Sequence, residues 1–305
     1  MKQPKTSEKI QIQSRPKKIM TPNDKLTRWV FNLPENEFTD MILDGVDNGI
    51  TENPKVKSKP KVKTKFRFEN VGTVELSSKP LNEFDRAVFD VCVTAQQAGF
   101  VGITADTIWR VMTGGRDNAM RVYSSQRTAV LESIERLMSI RIKIDFSQAC
   151  DKMKRYCGAG KKLVSIVMPC EYVDGVTVNG RQDCTVIRFL KESALVTIAK
   201  AKGQLLNYDA ELLNVPNQNN TMSTVTIKSY LVRRVNEIKA HELTPTITFA
   251  DVFKKCGLVD ADNDRKRKAR KVIRDVFEHL KERGEIHDFA FEKIDGIYRA
   301  VKFNY

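Results

Sequence analysis

The chain has 305 residues and a formal net charge of +14, with 52 lysines and arginines against 38 acidic residues. Hydrophobic residues make up 41%, which excludes a wholly disordered chain, and the length is more typical of two domains than of one. No apolar run approaches the roughly 20 residues that span a bilayer, and the N-terminus lacks the apolar core of a secretory signal. We therefore expect a cytoplasmic protein whose positive charge serves a polyanionic partner.

The first 78 residues are rich in lysine and proline, and they predict a basic, largely disordered extension over residues 1–78. Within it, Thr21-Pro22-Asn23-Asp24 predicts the start of one short helix, with the proline at its first position. Between residues 55 and 65 a lysine stands at every second position, and self-repulsion keeps such a run extended. This run is either a solvated linker, the interpretation we favour, or an arm that lies along phosphates. The small apolar face of the short helix would consist of Trp29, Val30, Phe31 and Leu33.

From residue 79 the pattern becomes that of a folded domain, for which we predict the bounds 79–215. Apolar residues at helical spacing predict three successive helices, the third capped by Ser124 or Ser125. Strict alternation from Ile140 to Phe146 predicts a strand, and a basic loop and a second strand over Leu163–Met168 follow. Asn179-Gly180 marks a further hairpin turn. Three helices followed by a hairpin is the order of a winged-helix domain.

A polar stretch at residues 214–221 predicts the boundary to a second domain, over residues 216–305. There the same order returns, and TITFADVFKKCGL at 246–258 matches GITADTIWRVMTG at 102–114. A long helix and two strands around Asp295-Gly296 complete the copy. The sequence therefore predicts an α+β fold of two tandem winged-helix domains, the second a degenerate duplicate of the first.

The most basic segment of the chain is the start of the long helix in the second domain, at residues 264–284. At 100° per residue its apolar side chains share one face, and arginines occupy the sides and the opposite face. Such a helix can pack on its domain while it faces a DNA major groove, where arginine pairs with guanine and lysine contacts phosphate. The alternative is an ordinary solvated helix face. The predicted contacts are Arg265, Lys266, Arg267, Lys268, Arg270, Lys271 and Arg274.

In the first domain, the start of the third helix and the basic loop are the candidate DNA contacts. Serine, threonine and glutamine can read base edges, and a loop rich in lysine, interpreted as the wing, suits the backbone or the minor groove. Glu132 and Glu135 dilute the positive charge here, so a plain solvated surface stays open as an alternative. The predicted contacts are Arg121, Ser125, Gln126, Arg127, Thr128, Lys152, Lys154, Arg155, Lys161 and Lys162.

Catalytic and metal-binding signatures have little support in the sequence. The three histidines include no His-apolar-His pair of the kind that nickases use, and CGAGKK at 157–162 departs from a P-loop at Arg155 and Lys162. The six cysteines form no CxxC pair, and the wide spacing of those between Cys150 and Cys184 favours reduced thiols over a zinc site. We therefore expect no metal, no cofactor and no enzymatic activity.

From about Pro80 to Tyr305 the chain resembles the tandem winged-helix initiators of theta-replicating plasmids, the RepE-like iteron-binding proteins. The resemblance is carried by LNEFDRAVFDV at 81–91, SSQRTAVLESIERLMSIRIKIDF at 124–146, and the ELLNVPNQ stretch with the Tyr-Leu-x-Arg-Arg pattern at 230–234. Residues 1–78 have no counterpart in this family.

This resemblance implies a function that the residue pattern alone does not. It implies a bacterial protein that binds direct repeats, called iterons, in double-stranded origin DNA and helps to open the neighbouring duplex. It also implies recruitment of the host initiator and helicase, and a homodimer that represses its own promoter. In such proteins the main base contacts fall on the segment that is here 265–274, and the first domain adds contacts from Ser125, Gln126 and Arg127.

Two alternatives remain open. A transcriptional regulator could use the same fold, but two unequal winged helices on one chain favour a long asymmetric site and hence an initiator. A nickase or relaxase, from a different class, would form a covalent tyrosyl–DNA adduct.

Overall fold

The computed structural model describes residues 9–10, 16–31, 63–68, 72–77, 81–115, 121–145, 162–178, 181–294 and 296–305. Helices and strands alternate along these residues, so the fold is a mixed α+β fold. Up to residue 145 the elements are β1 (Lys9–Ile10), β2 (Lys18–Pro22), α1 (Lys25–Val30), β3 (Lys63–Phe68), β4 (Gly72–Ser77), α2 (Glu83–Gln97), β5 (Gly102–Ile103), α3 (Ala105–Met112), α4 (Ser124–Ser139) and β6 (Arg141–Asp145).

From residue 162 onward, the described residues form strands β7 to β13, helices α5 to α8 and one 3-10 turn. Their bounds are β7 (Lys162–Ile166), β8 (Cys170–Val178), β9 (Arg181–Phe189), α5 (Ala194–Lys202), β10 (Leu205–Asp209), a 3-10 turn (Ala210–Leu213), α6 (Met222–Ala240), β11 (Thr246–Thr248), α7 (Phe249–Lys255), α8 (Asn263–Glu282), β12 (Asp288–Ile294) and β13 (Ile297–Asn304).

Most of the helices begin at a side chain that caps the first free backbone N–H groups. Asn82 and Asp85 form a reciprocal capping box at α2, and Asp262 accepts a hydrogen bond from the Arg265 amide at α8. The prediction that Ser124 or Ser125 caps α4 is wrong. Tyr123 holds the cap position, and its backbone N–H donates to Gln126 Oε1 at 2.9 Å.

The same order of elements occurs twice, once in residues 83–189 and once in residues 222–304, which we call the N-terminal and C-terminal units. Each has a long helix, a short strand, a short helix, a third helix and a terminal hairpin. The short strand pairs antiparallel with the second strand of the hairpin in both units, Ile103 opposite Ile187 and Ile247 opposite Val301. The first sheet is thus ordered β5-β9-β8-β1, with β1 parallel to β8, and the second is ordered β11-β13-β12.

This pairing assigns the hairpin of the N-terminal unit differently from our expectation. The counterpart of β12–β13 is β8–β9, whereas the basic loop that we interpreted as the wing joins β6 to β7. Those two strands belong to a separate four-stranded sheet with β3 and β4. The loop itself, including Lys152, Lys154, Arg155 and Lys161, lies outside the described residues.

The N-terminal region also differs from a largely disordered extension where the structure describes it. Residues 16–31, which we call the strap, pack into the core: β2 pairs antiparallel with β10, and Ile19, Leu26 and Phe31 are buried. The helix starts later than predicted, since Asp24 accepts from the Leu26 and Thr27 amides and Pro22 ends β2. Burial of several large apolar side chains outweighs the local lysine content here.

One continuous hydrophobic core joins the strap and both units. The long helices α2 and α6 pack against each other at its centre, and α4, α3 and α8 surround them. Within the described part of the chain, every helix is too short or too polar to cross a bilayer.

Candidate nucleic-acid interface

Helix α8 is divided lengthwise into an apolar face and a basic face. Ala269, Ile273, Val276, Phe277 and Leu280 are all buried against α6 and the β12–β13 hairpin. These positions recur every three or four residues, as expected for one face of a helix. The helix is therefore fixed on the C-terminal unit by its apolar face, and its other side faces outward.

The outward side of α8 carries the cations predicted from the sequence. The side chains of Arg265, Arg267 and Lys268 are 73%, 76% and 71% exposed. Arg267, Lys271 and Arg274 are all exposed and follow one another at i, i+4 and i+7, so they form a line along the helix. Lys266 and Arg270 are half-buried at the flanks. The structure thus brings all seven predicted residues of this helix together.

Two acids lie among the cations at the start of α8, and the first, the N-cap Asp262, has its Oδ2 3.7 Å from Arg265 Nε. Asp264 pairs with Arg267 at 2.6 Å and with Lys268 at 2.7 Å, and these hydrogen bonds lower its pKa to about 2. Exposed pairs of this kind contribute little to stability and exchange readily with solvent. Both cations therefore remain available to a phosphate or a base.

Aromatic rings from neighbouring elements hold the two arginines further along α8. The Arg270 guanidinium lies 5.7 Å from the Phe253 ring centroid, and that of Arg274 lies 5.5 Å from Phe291. Arg274 Nη2 also donates to the Tyr298 hydroxyl at 3.3 Å. Cation–π contacts of this geometry limit the rotamers of an arginine without neutralising it. The Nε of Arg270 is buried and has no hydrogen-bond partner among the described residues.

The tip of the β12–β13 hairpin adds a further basic group beside the helix. Lys293 Nζ lies 4.4 Å from the Tyr298 ring centroid. Hydrogen bonding to Lys293 lowers the pKa of the Tyr298 phenol from its ordinary value. Helix α8 and the hairpin thus form one basic surface, bounded by Arg265 at one end and by Lys293 beyond Arg274.

The N-terminal unit has a concave basic site at the equivalent position, between α3 and the start of α4. A cavity of about 480 Å³ lies there, and its positive charge comes from Arg110 on α3, from Arg121, and from Arg127 on α4. With three arginines and one carboxylate, its lining has an excess of positive charge and suits an anion. The lining residues are Asp106, Arg110, Arg121, Val122, Tyr123, Ser124 and Arg127.

Two of the predicted residues in this unit are engaged within the protein. Arg127 forms a bidentate ion pair with Asp106, through Nε to Oδ1 and through Nη2 to Oδ2 at 3.0 Å. The hydrogen bond to Asp106 raises the pKa of Arg127. Gln126 accepts from the Tyr123 amide and donates to the Asn220 carbonyl at 3.3 Å. Arg127 therefore presents a fixed charge at the cavity, and Gln126 has a structural role in this conformation.

The remaining predicted residues of this unit lie at or just before the start of α4, in β7, or in the loop between β6 and β7, which is outside the described residues. Ser125 and Thr128 are exposed at the start of α4, and Arg121 is exposed with its guanidinium 5.4 Å from the Tyr123 ring centroid. Lys162 opens β7, in the sheet apart from the cavity.

Sequence reasoning missed several residues of this surface. Arg110 stands one helical turn after Asp106. This i, i+4 spacing places the two side chains on one face of the helix, and it was the signal that could have identified Arg110. Lys293 and Tyr298 flank the Asp295-Gly296 turn, so the hairpin prediction already placed them across from each other. Phe253 and Phe291 had no local signal, because their contact with the arginines depends on tertiary packing.

The described residues include no group of three or more histidine, cysteine or acidic side chains that could hold a metal ion. Cys92 and Cys170 are buried free thiols, and burial raises the pKa of Cys170 to about 12. Cys184 and Cys256 are half-buried thiols. Cys150 and Cys157 lie outside the described part of the chain.

Comparisons with known proteins give a limited result. No protein-family model and no curated protein matches the chain. Among solved structures, it is similar to two crystal structures of domains 2 and 3 of RctB, one of them a selenomethionine derivative. The alignments cover 85% of this chain and 96% of the other, at 11% and 12% identity and a TM-score of 0.40. A similarity of this size leaves the function to be argued from the site itself.

Proposed function

We propose that this chain is a non-enzymatic DNA-binding protein with two winged-helix domains, and that it acts as a plasmid-type replication initiator on direct repeats in origin DNA. The observation that carries the proposal is the exposed basic face of α8, held outward by a fully buried apolar face. Such a helix can enter a major groove without any rearrangement of the domain beneath it.

The dimensions of the basic face suit this mode of binding. From Arg267 to Arg274 the helix rises by about 10 Å, and a major groove about 12 Å wide admits a helix. The residues at the N-terminal end of α8, including Arg265 and Lys268, would approach base edges or phosphates first. The hairpin beyond Arg274, with Lys293 near its turn, would lie over the adjacent backbone, as a wing does.

The N-terminal unit supports a different contribution to the same complex. Its arginines converge on a cavity rather than along an open helix face, and one of them is fixed by Asp106. Contacts of this kind suit phosphate groups, which set register and orientation without reading sequence. Two units with unequal surfaces favour a long asymmetric site, and asymmetric sites occur as direct repeats more readily than as palindromes. This asymmetry supports the initiator over the regulator.

The proposal is tested by nuclease footprinting of the purified chain on the DNA that flanks its coding region. We expect protection of an array of short direct repeats beside an AT-rich tract. Protection of one lone palindrome would favour the regulator instead. Nicking of supercoiled plasmid with a covalent tyrosyl–DNA adduct would overturn the non-enzymatic assignment.

A pair of charge-matched variants separates groove contacts from general charge. Replacement of Arg267 and Arg274 by alanine removes two cations from the line on α8 and should abolish the footprint. Replacement of the exposed Lys25 and Lys191 by alanine removes the same charge elsewhere and should preserve the footprint, with a modest loss of affinity. Equal losses in both variants would contradict the placement of α8 in the groove.

A further inference from the structure

Four charged side chains are buried where the two long central helices meet. Glu83, Arg86 and Asp90 lie on α2, and Arg233 lies on α6 of the C-terminal unit. Arg86 Nε pairs with Asp90 Oδ1 at 3.0 Å, Arg233 pairs with Glu83, and Arg233 Nη1 lies 3.8 Å from Asp90 Oδ2. We call these four residues the charge cluster; its formal charges cancel.

The strap closes the charge cluster from the side of the N-terminal unit. Arg86 Nη2 donates to Thr21 Oγ1 at 2.7 Å and to the Pro22 carbonyl, and its guanidinium lies 4.9 Å from the Phe31 ring centroid. Phe31 also packs on Phe89 of α2, with ring centroids 5.2 Å apart. These contacts fix the strap on α2.

The same strap also contacts the end of α6 in the C-terminal unit. Arg28 Nη1 donates to Glu237 Oε1 at 2.8 Å. Asn23 Nδ2 lies 3.4 Å from His241 Nε2. A segment of 16 residues therefore bridges both units at the side of the charge cluster.

The energetics of such a cluster indicate a role in geometry rather than in stability. Burial of charges costs desolvation, so that apolar replacements of a buried pair are often neutral or stabilising, whereas loss of one partner is strongly destabilising. Any rotation of α6 away from α2 would separate Arg233 from Glu83 and leave both buried charges without their partners. The observed arrangement of the two units gives each of the four charges an opposite partner.

We infer that the strap and the charge cluster fix the two units in a single orientation, so that the chain binds DNA as one rigid body with a set spacing between its two contact surfaces. The fixed orientation rests on the contacts above alone. Its consequence for DNA rests on the proposed function.

The orientation is tested first without DNA. Spin labels on a genetically encoded amino acid at positions 132 and 278, both exposed, report the distance between α4 and α8 by pulsed electron resonance. We expect one narrow distribution for the unaltered chain and a broad one for Glu83→Leu/Arg233→Met, at an unchanged or higher melting temperature. A narrow distribution in this folded variant would overturn the inference.

A second variant keeps the test decisive if the first does not fold. Asn23→Ala/Arg28→Ala removes the side-chain contacts of the strap with Glu237 and His241 and leaves the four residues of the charge cluster intact. It should broaden the same distance distribution, and an unchanged width would count against a bridging role of the strap. Lys18→Ala, at an exposed position of the strap, is the matched control and should leave the width unchanged.

The spacing is tested next on the footprinted DNA. Insertion of 5 base pairs, about half a helical turn, between the parts protected by the two units should weaken binding of the unaltered chain about 100-fold, because simultaneous engagement is lost. The Glu83→Leu/Arg233→Met variant, or Asn23→Ala/Arg28→Ala where the first does not fold, should lose much less. If both proteins lose affinity equally, this inference is wrong while the proposed function stands. If neither protein binds DNA but the distances behave as expected, the proposed function fails and the fixed orientation stands.

Discussion

Arg274 of α8 and Tyr298 of β13 are joined by a hydrogen bond of 3.3 Å, from the guanidinium to the phenol oxygen. The same guanidinium lies over the ring of Phe291 on β12. The hairpin therefore sets the direction of an arginine that the exposed face of α8 presents. Because an ordered side chain loses less conformational entropy on binding, the proposed function implies that the hairpin would contribute to DNA affinity through Arg274 as well as through its own contacts.

We expect a double-mutant cycle to detect this coupling. Arg274→Ala should weaken specific binding by about 1–3 kcal/mol if the arginine meets a base. Tyr298→Phe, which keeps the ring and removes the hydroxyl, should cost less, on the order of 0.5–1 kcal/mol. In the double variant the loss should equal that of Arg274→Ala alone, as measured by fluorescence anisotropy on the footprinted repeat. Additive losses would mean that Tyr298 acts independently, for instance through Lys293.

The ion pair between Asp106 and Arg127 has a consequence for salt dependence. Asp106→Asn would release Arg127 and add one positive charge to the cavity of the N-terminal unit. We expect tighter binding to random DNA and a slope of log K against log salt that is steeper by roughly one unit. Discrimination between repeat and random DNA should fall, because the arginine is no longer held in place.

A matched control for this variant is Glu132→Gln, on the exposed surface of the same α4 helix. It adds the same charge without touching Arg127. Identical changes of slope and of discrimination in the two variants would show that only net charge matters, and that Asp106 has no positioning role.

Elements with a strong local pattern were predictable from the sequence. The long basic helix was expected to begin near Asp264 and to end at Gly284, and α8 spans Asn263–Glu282. Its outward arginines followed from the helical period alone, and the hairpin that pairs Ile294 with Ile297 followed from residue type. In each case the determining interactions lie within a few residues along the chain.

The remaining features depend on contacts between distant residues. The strap is recognisable only through its pairing with β10, and its lysines and proline suggested an extension instead. The DNA contact predicted for Arg127 stays a prediction, and its ion pair with Asp106 could not be predicted because it spans 21 positions of sequence. The hairpin of the N-terminal unit was misplaced because β6 and β7 also alternate, and only the pairing of β5 with β9 identifies its counterpart.

Lys228 of α6 gives a prediction for pH dependence. Its side chain is 1% exposed, and its Nζ donates to Asn220 Oδ1 at 2.8 Å. Burial lowers the pKa of Lys228 to about 8 from an ordinary value of 10.5. The unfolded chain therefore binds more protons between these two values, and the contribution of Lys228 to the free energy of unfolding rises as pH rises through this window.

We expect Lys228→Met to remove this pH dependence. The unfolding free energy of the unaltered chain relative to the variant should increase by as much as about 3 kcal/mol between pH 7 and pH 10.5. Urea unfolding at several pH values measures this difference, in which the titration of other groups cancels. Lys302→Met, at an exposed position of β13, controls for the loss of a lysine. Parallel curves for the unaltered chain and Lys228→Met would contradict the burial of this amine.

Gly114, just after α3, lies against the turn that leads to the C-terminal unit. Its φ is +68°, and a Cβ at this position would stand 2.4 Å from the Asn214 nitrogen and 2.8 Å from the Leu213 carbonyl carbon. Gly203 has a similar φ of +65°, but a Cβ there would meet no atom within 4 Å. The two glycines therefore separate the cost of the left-handed backbone from the cost of the close approach.

We expect Gly203→Ala to lower the free energy of unfolding by about 1 kcal/mol, which is the penalty for an alanine in the left-handed region. Gly114→Ala should cost about 3 kcal/mol or more, because backbone atoms cannot move aside as a flexible side chain can. Chemical denaturation measures both losses. The displaced turn should also broaden the distance distribution between positions 132 and 278 in Gly114→Ala alone. Equal losses at the two glycines would mean that the end of α3 is not seated on residues 210–214, and that this contact has no part in the placement of the C-terminal unit.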